Sequence, residues 1–211
     1  MHAQIVLFDG FDPLDAVAPF EVLHASGAVT VELVTAEGPR EVVGGTGGLT
    51  LRATAALDPG RAGLVVVPGA SGAAEPQADD SIPAVLGRTL STALPALLKT
   101  AMDDPDVTVA TVCGGSLVLA MAGLLDGRHA VTHHLGMDML DATGARAVHA
   151  RVVDDGDLVT AGGVTSGLDL GLYLLEREVG PRIAHAVEEL FAYERRGTVW
   201  RAAGPVPAGE R

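Results

Sequence analysis

Residues 107–127 read VTVATVCGGSLVLAMAGLLDG. Val107–Val112 is a β-branched apolar run of strand type. It leads directly into Cys113, the chain's one cysteine. Gly114 and Gly115 follow, and then an apolar helix-like run that stops at Gly127. A cysteine on so tight a strand-to-helix turn has its sulfur pushed clear of the backbone. Small residues allow the chain to turn that sharply. The helix N-terminus then lies against the sulfur, which lowers a thiol pKa and supplies backbone N–H donors for an oxyanion. A structural cysteine is the competing reading, because free cysteine is among the most buried residue types.

Working outward, the same alternation recurs. Gln4–Phe8 (QIVLF) reads as a buried strand. The segment 12–27 reads as a helix with Asp12 as N-cap, Pro13 at its first position and Gly27 past its end. Pro19 inside that pattern predicts a kink or a junction of two short segments. Thr30–Thr35 reads as a strand, and residues 41–54 as a hairpin with a glycine-rich turn. Residues 63–69 (GLVVVPG) form another buried strand. Ser81–Met102 is a long amphipathic stretch punctuated by Pro83 and Pro95. His129–Thr132 reads as a short strand, 135–144 as a short helix, and 147–163 as a hairpin turning at Asp155-Gly156. Thr165–Val179 and Pro181–Glu194 read as closing helices, with a frayed tail over GPVPAGER. The alternation predicts an α/β fold, a mostly parallel sheet with helices on both faces. One domain over residues 1–197 and a C-terminal tail over 198–211 are expected.

Composition narrows the function. A chain of 211 residues with 48% hydrophobic residues builds one sizeable core, and with aromatics at 3% that core is Val, Leu and Ala. The formal net charge of −13 argues against nucleic acid or an anionic membrane as partner, since both need basic surface. One cysteine makes no internal disulfide, which suits a reducing compartment. The N-terminus reads as a strand rather than a leader, and no apolar run is long enough to span a bilayer, so a cytoplasmic location is expected.

In open α/β sheets ligands bind beyond the carboxyl ends of the strands. Asp15, Gly69-Ala70 and Cys113 all fall at such ends. Here a resemblance enters. IVLFDGFDPLDAVAPFEVL, VVVPGASG, TVCGGSLVLAMAGLLDGRHAVTHH and RVVDDGDLVTAGGVTSGLDLGLYLLE together resemble the ThiJ/PfpI superfamily, with its class I glutamine amidotransferase-like, flavodoxin-like fold. Within it the similarity runs most strongly to the isonitrile (isocyanide) hydratases. The resemblance implies Cys113 as nucleophile on its elbow and Asp15 as the acid beside it. It also implies the N–H groups of Ala70 and Gly114 as oxyanion donors, and His133 as a histidine close to the cysteine. It implies a homodimer acting on a small molecule without metal or organic cofactor.

The chain departs from the pattern at two places. Gly114 stands where the hydratases carry threonine, and Ala70 stands where the family's second glycine is usual. Gly114 also excludes the Cys-His dyad of the peptidase-like branch, and no late His-x-Glu of the glutaminase branch is present. Glyoxalase-type or redox roles for the same cysteine, and a stand-alone ligand-sensing domain, remain as alternatives.

Individual residues keep bland readings beside the sharp ones. Asp15 could be a solvated helix-face carboxylate, and Glu21 could serve as the acid in its place. His133 and His134, adjacent on a strand, would face opposite ways. A metal site on that pair with Asp138 matches no strong ligand spacing. Glycines 44, 45, 47 and 48 read as a hairpin turn, and Asp154, Asp155 and Asp157 as a turn without the EF-hand spacing.

Overall fold

Eight strands form the central sheet of this chain, whose computed structural model describes residues 1–73, 75 and 77–205. In chain order the elements begin with β1 (His2–Val6), α1 (Pro13–Ala25), β2 (Thr30–Thr35), β3 (Arg40–Val43), β4 (Thr50–Ala53), β5 (Ala55–Ala56) and β6 (Leu64–Val67). They continue with α2 (Ile82–Thr89), α3 (Leu94–Asp103), β7 (Thr108–Val112), α4 (Gly115–Met121), β8 (His129–Ala130), α5 (Met137–Ala142) and β9 (Arg146–Ala147). The last are β10 (Val152–Asp154), β11 (Leu158–Ala161), α6 (Ser166–Glu178), α7 (Pro181–Phe191) and β12 (Trp200–Arg201).

The sheet order is β12-β10-β11-β7-β6-β1-β2-β5. Every pairing is parallel except β10 with β11, the hairpin that turns at Gly156 with φ 89°. The expected α/β sheet with helices on both faces is what forms. β6 and β7 are buried along nearly their whole length, as strands covered on both faces must be. Their β-branched side chains pack with Leu and Ala from the helices into one continuous core, and Phe11 is its largest fully buried side chain. β3 and β4 pair as a separate antiparallel hairpin. Among the described residues no helix is long and apolar enough to cross a membrane.

Several boundaries differ from the sequence reading, each for a physical reason. The stretch 81–102 divides into α2 and α3, because Pro83 and Pro95 each sit in a first helical turn, where a missing N–H costs nothing. The strand expected at His129–Thr132 ends at Ala130. Trp200 and Arg201, placed in the tail, pair with Val153 and Asp154 and add an edge strand to the sheet. Residues 206–211 of the expected frayed tail lie outside the described residues.

Pro19 neither breaks nor divides α1, which runs continuously from the Asp12 cap, whose side chain accepts from the Leu14 N–H at 2.9 Å. Packing explains the tolerance. α1 lies against α6, which presents Gly167 and Gly171 to it. A Cβ on Gly167 would stand 3.1 Å from Pro19 Cδ, and one on Gly171 would stand 2.8 Å from Val22 Cγ1 and 2.9 Å from Val22 Cβ. The glycine face leaves room for the pyrrolidine ring.

Two glycine substitutions should therefore have opposite signs. In Gly171→Ala the overpacking penalty of about 1–3 kcal/mol exceeds the gain of about 1 kcal/mol in helix propensity, and the melting temperature should fall. Gly87, inside α2, has nothing within 4 Å of a Cβ, so Gly87→Ala should gain about 0.5–1 kcal/mol and melt higher. Thermal melts of the two variants check both.

Candidate active site

β1, β6 and β7 are neighbours in the sheet, so the loops at their carboxyl ends converge. Cys113 follows β7 directly. Its φ is 56°, in the left-handed region that residues other than glycine rarely enter, at a cost of about 1–3 kcal/mol. Two bonds hold it there. The Cys113 N–H donates to Ala161 O at 2.9 Å, and Cys113 O accepts from the Thr132 hydroxyl at 2.8 Å. Ser116, in the first turn of α4, donates to Val131 O at 2.6 Å and shares a 2.6 Å hydrogen bond with Thr111. The turn is thus tied to β11 on one side and to the segment just past β8 on the other.

Two glycines let the β6 loop touch this turn. A Cβ on Gly115 would come 2.1 Å from Val67 O, and one on Gly69 would come 2.5 Å from Gly114 N and 2.8 Å from Asp15 Oδ2. Gly115 thus serves close backbone approach, since its φ is not positive. Phe11 and Ala70 form an isolated antiparallel bridge, flanked by the Asp12 N–H to Gly69 O bond at 2.9 Å and the Ser71 N–H to Gly10 O bond at 3.2 Å. In that arrangement the Ala70 N–H faces away from the bridge. It lies 3.8 Å from where a Cβ on Gly114 would be. Ala70 needs no positive φ, so alanine fits where the family prefers glycine. The space a side chain at 114 would enter is bounded by Leu86 Cδ1, 3.2 Å from that Cβ position.

Asp15 is fully buried in the first turn of α1. Its Oδ2 accepts from the Gly69 N–H at 2.9 Å, while its Oδ1 is buried with no hydrogen-bond partner among the described residues. Burial, and then the neighbouring Asp12 charge, push the Asp15 carboxyl up to about 8, against the lowering effect of the Gly69 N–H and of Cys113. Cys113 itself is only 6% exposed. Burial and then the Asp15 charge push its thiol up, and the Gly114 N–H pulls the other way. The sequence reading expected a helix-lowered thiol. The direction reverses because α4 is only seven residues long and desolvation beside a second acid outweighs its N-terminus. Two buried acids that act on each other's protons titrate together, and full ionisation of the pair is disfavoured.

The structure brings Cys113, Asp15, Gly114 and Ala70 to one place. It commits His133 to a different task. The ring caps the one-turn 3₁₀ helix His134–Gly136, with Nδ1 accepting from the Leu135 N–H at 3.3 Å. Both histidines lie past the end of β8, so they do not point to opposite faces as a strand would require. Their rings meet at a tilt, with centroids 4.2 Å apart. Burial and His134 lower the His133 pKa. Glu21 is exposed, farther along α1. Among the described residues no group of three His, Cys, Asp or Glu is placed to hold a metal. Sequence reasoning missed Thr132, Thr160 and Ser116, the hydroxyls that brace the turn. Their one signal was a hydroxyl set among apolar neighbours.

The raised Asp15 pKa makes a stability prediction. The native state keeps a proton that the unfolded chain releases near pH 4, so the native state binds more protons between pH 4 and 8. This contribution is complete below pH 4 and is lost as pH rises through about 8. Asp15→Asn removes the titration. The melting temperature of the wild type should fall relative to this variant from pH 5 to pH 8, read by thermal melts across that range.

The comparisons with known proteins agree with this geometry. Residues 1–177 match the model of the DJ-1/PfpI family. An isonitrile hydratase of Pseudomonas putida is 35% identical over 194 residues, 92% of this chain and 78% of that protein. Protein DJ-1 homolog A of Arabidopsis thaliana is 29% identical over 189 residues, 88% of this chain and 45% of that protein. The crystal structure of Drosophila melanogaster DJ-1beta superposes with a TM-score of 0.77 at 19% identity, covering 92% of this chain and 98% of that one, a likeness of fold. The sheet and its helices are thus those of a shared fold, and this chain belongs to the DJ-1/PfpI family.

Proposed function

We propose that the chain is an isonitrile hydratase-like enzyme that adds water to an isonitrile and releases an N-substituted formamide. The observation that carries the reading is the buried Asp15 carboxyl, its pKa pushed up to about 8, beside a cysteine fixed in a strained turn. The 35% identical relative named isonitrile hydratase supports it.

Loss of the Cys113 proton leaves a thiolate beside the protonated Asp15 carboxyl, and the sulfur attacks the terminal isonitrile carbon. The Asp15 carboxyl gives its proton to that carbon, and a thioimidate bound to Cys113 results. Asp15, now a carboxylate, takes a proton from water as the water oxygen bonds to the same carbon. It passes that proton to nitrogen. The N–H groups of Gly114 and Ala70 stabilise charge developing on the new oxygen. When the carbon–sulfur bond breaks, the electron pair returns to sulfur and the hydroxyl proton returns to Asp15. The formamide leaves, and both groups are back in their starting forms. Neither a metal nor an organic cofactor enters this sequence.

Formamide production from an aryl isonitrile tests the reading. Wild type should turn over, Cys113→Ala should fall below detection, and Asp15→Asn should lose about 10²–10⁴-fold, the range of a positioned acid–base group. Undiminished activity in Cys113→Ala overturns the mechanism. No turnover in wild type moves the assignment to the aldehyde or redox chemistries of the same cysteine.

We also infer a homodimer. Leu14, Val43 and Leu49 are large apolar residues left exposed around the contact between the start of α1 and the β3–β4 hairpin. A second copy is the partner that fits a shared apolar rim beside the site. Light scattering should give twice the chain mass, and a monomer mass removes the inference.

A further inference from the structure

A cavity of about 300 Å³, large enough for a small molecule, backs onto the Cys113 turn. Thr132 belongs to its lining, and the hydroxyl of the same residue donates to Cys113 O at 2.8 Å. Gly162, also in the lining, follows Ala161, whose carbonyl holds the Cys113 N–H at 2.9 Å. The buried Val131 and Met137 give the cavity an apolar side, which suits the body of an organic ligand.

The polar side is built for an anion. Ser166, in the first turn of α6, lines the cavity and is fully buried, and its Oγ has no hydrogen-bond partner among the described residues. Each polar group left so in a native interior asks for an explanation, and a ligand that accepts from the hydroxyl supplies one. α6 is thirteen residues long, yet Thr165 at its cap position makes no side-chain cap bond. The Thr165 hydroxyl instead accepts from Arg151 Nη2 at 3.0 Å, which leaves the positive end of the helix to the cavity. Arg151 is itself part of the lining, fixed by its Nε bond to Asp169 Oδ2 at 2.6 Å. His134 and His149 line the cavity from exposed positions. Among the described residues the histidine ion pairs belong to His2, His129 and His185, so neither of these two rings is tied to a carboxylate. No Asp or Glu lines the cavity among the described residues, although the chain carries 27 of them. Asp169 spends its oxygens on Arg151, on the Tyr193 hydroxyl at 3.0 Å and on the Arg196 N–H at 2.7 Å.

We propose that this cavity is a carboxylate-binding subsite, in which the Ser166 hydroxyl donates to the ligand carboxylate and Arg151, His134 and His149 favour its charge. Asp169 offsets the Arg151 charge, so a monoanion fits better than a phosphate dianion. The carboxylate has two sources. One is an acidic group on the nitrogen substituent of the substrate, which rests on the isonitrile reading and names its substrate class. The other is a free small acid, which does not rest on it.

Benzoate is the probe and benzamide its uncharged counterpart, with binding read by isothermal titration calorimetry in wild type, Ser166→Ala and His149→Glu. Benzoate should bind wild type with a Kd on the order of 1 mM, and benzamide at least about tenfold more weakly. Ser166→Ala should weaken benzoate about tenfold, the order of one hydrogen bond to a charged group. Its melting temperature without benzoate should not fall, because the deleted hydroxyl holds no partner, and this separates a binding role from a structural one. His149→Glu, a change at an exposed position, should weaken benzoate about threefold or more. No benzoate binding up to about 10 mM overturns the proposal. So does equal binding of benzamide, or undiminished benzoate binding in both variants. Formamide production from 4-isocyanobenzoate and from its methyl ester then distinguishes the sources. A kcat/KM about tenfold higher for the acid, with the advantage lost in Ser166→Ala, places the carboxylate on the substrate. Equal turnover of acid and ester, with benzoate bound as expected, assigns the subsite to a free acid. Turnover of neither, with benzoate bound as expected, overturns the isonitrile assignment and upholds the subsite.

Discussion

The backbone of the β6 loop rests directly on the backbone of the turn after β7, and the active-site geometry depends on that contact. Gly69 and Gly115 are the residues that permit it, for a single carbon on either would enter the opposing main chain. Because the two loops touch, Ala70 N lies 3.8 Å from the place a Cβ on Gly114 would take. The Gly69 N–H, on the same loop, is left to fix Asp15. The strain at Cys113 persists because Ala161, at the end of β11, and the buried Thr132, just past β8, hold both ends of that residue.

Electrostatics then follow from burial. Burial is the first influence on both Asp15 and Cys113, and the Asp15 charge adds to it at the thiol. A helix N-terminus beside a thiol is ordinarily an activating arrangement. Here it is a minor influence beside burial and the neighbouring acid.

The sheet was legible from sequence because its central strands are short β-branched runs cut off by glycine and proline. The convergence of Asp15, Ala70 and Cys113 was legible because parallel strands place their following loops on one edge. What stayed hidden was every feature set by a partner distant in the chain. Pro19 has the local signature of a break, yet α1 runs through it, packed against the glycine face of α6 about 150 residues later. His133 and His134 sit where a strand pattern runs on, yet the strand ends at Ala130 and the two rings meet at a tilt. The direction of the thiol shift depends on desolvation, which no local pattern carries. The roles given to Cys113, Asp15, Gly114, Ala70 and His133 came from resemblance. The structure supplies a geometric setting for the first four and ties the last to a neighbouring turn.

The two outermost strands of the central sheet, β5 and β12, are two residues long each. An edge that short offers too few free N–H and C=O groups to template another strand. The central sheet therefore gives a second copy little to extend. Concentrated solutions should resist fibril growth as long as both ends of the sheet stay closed in this way.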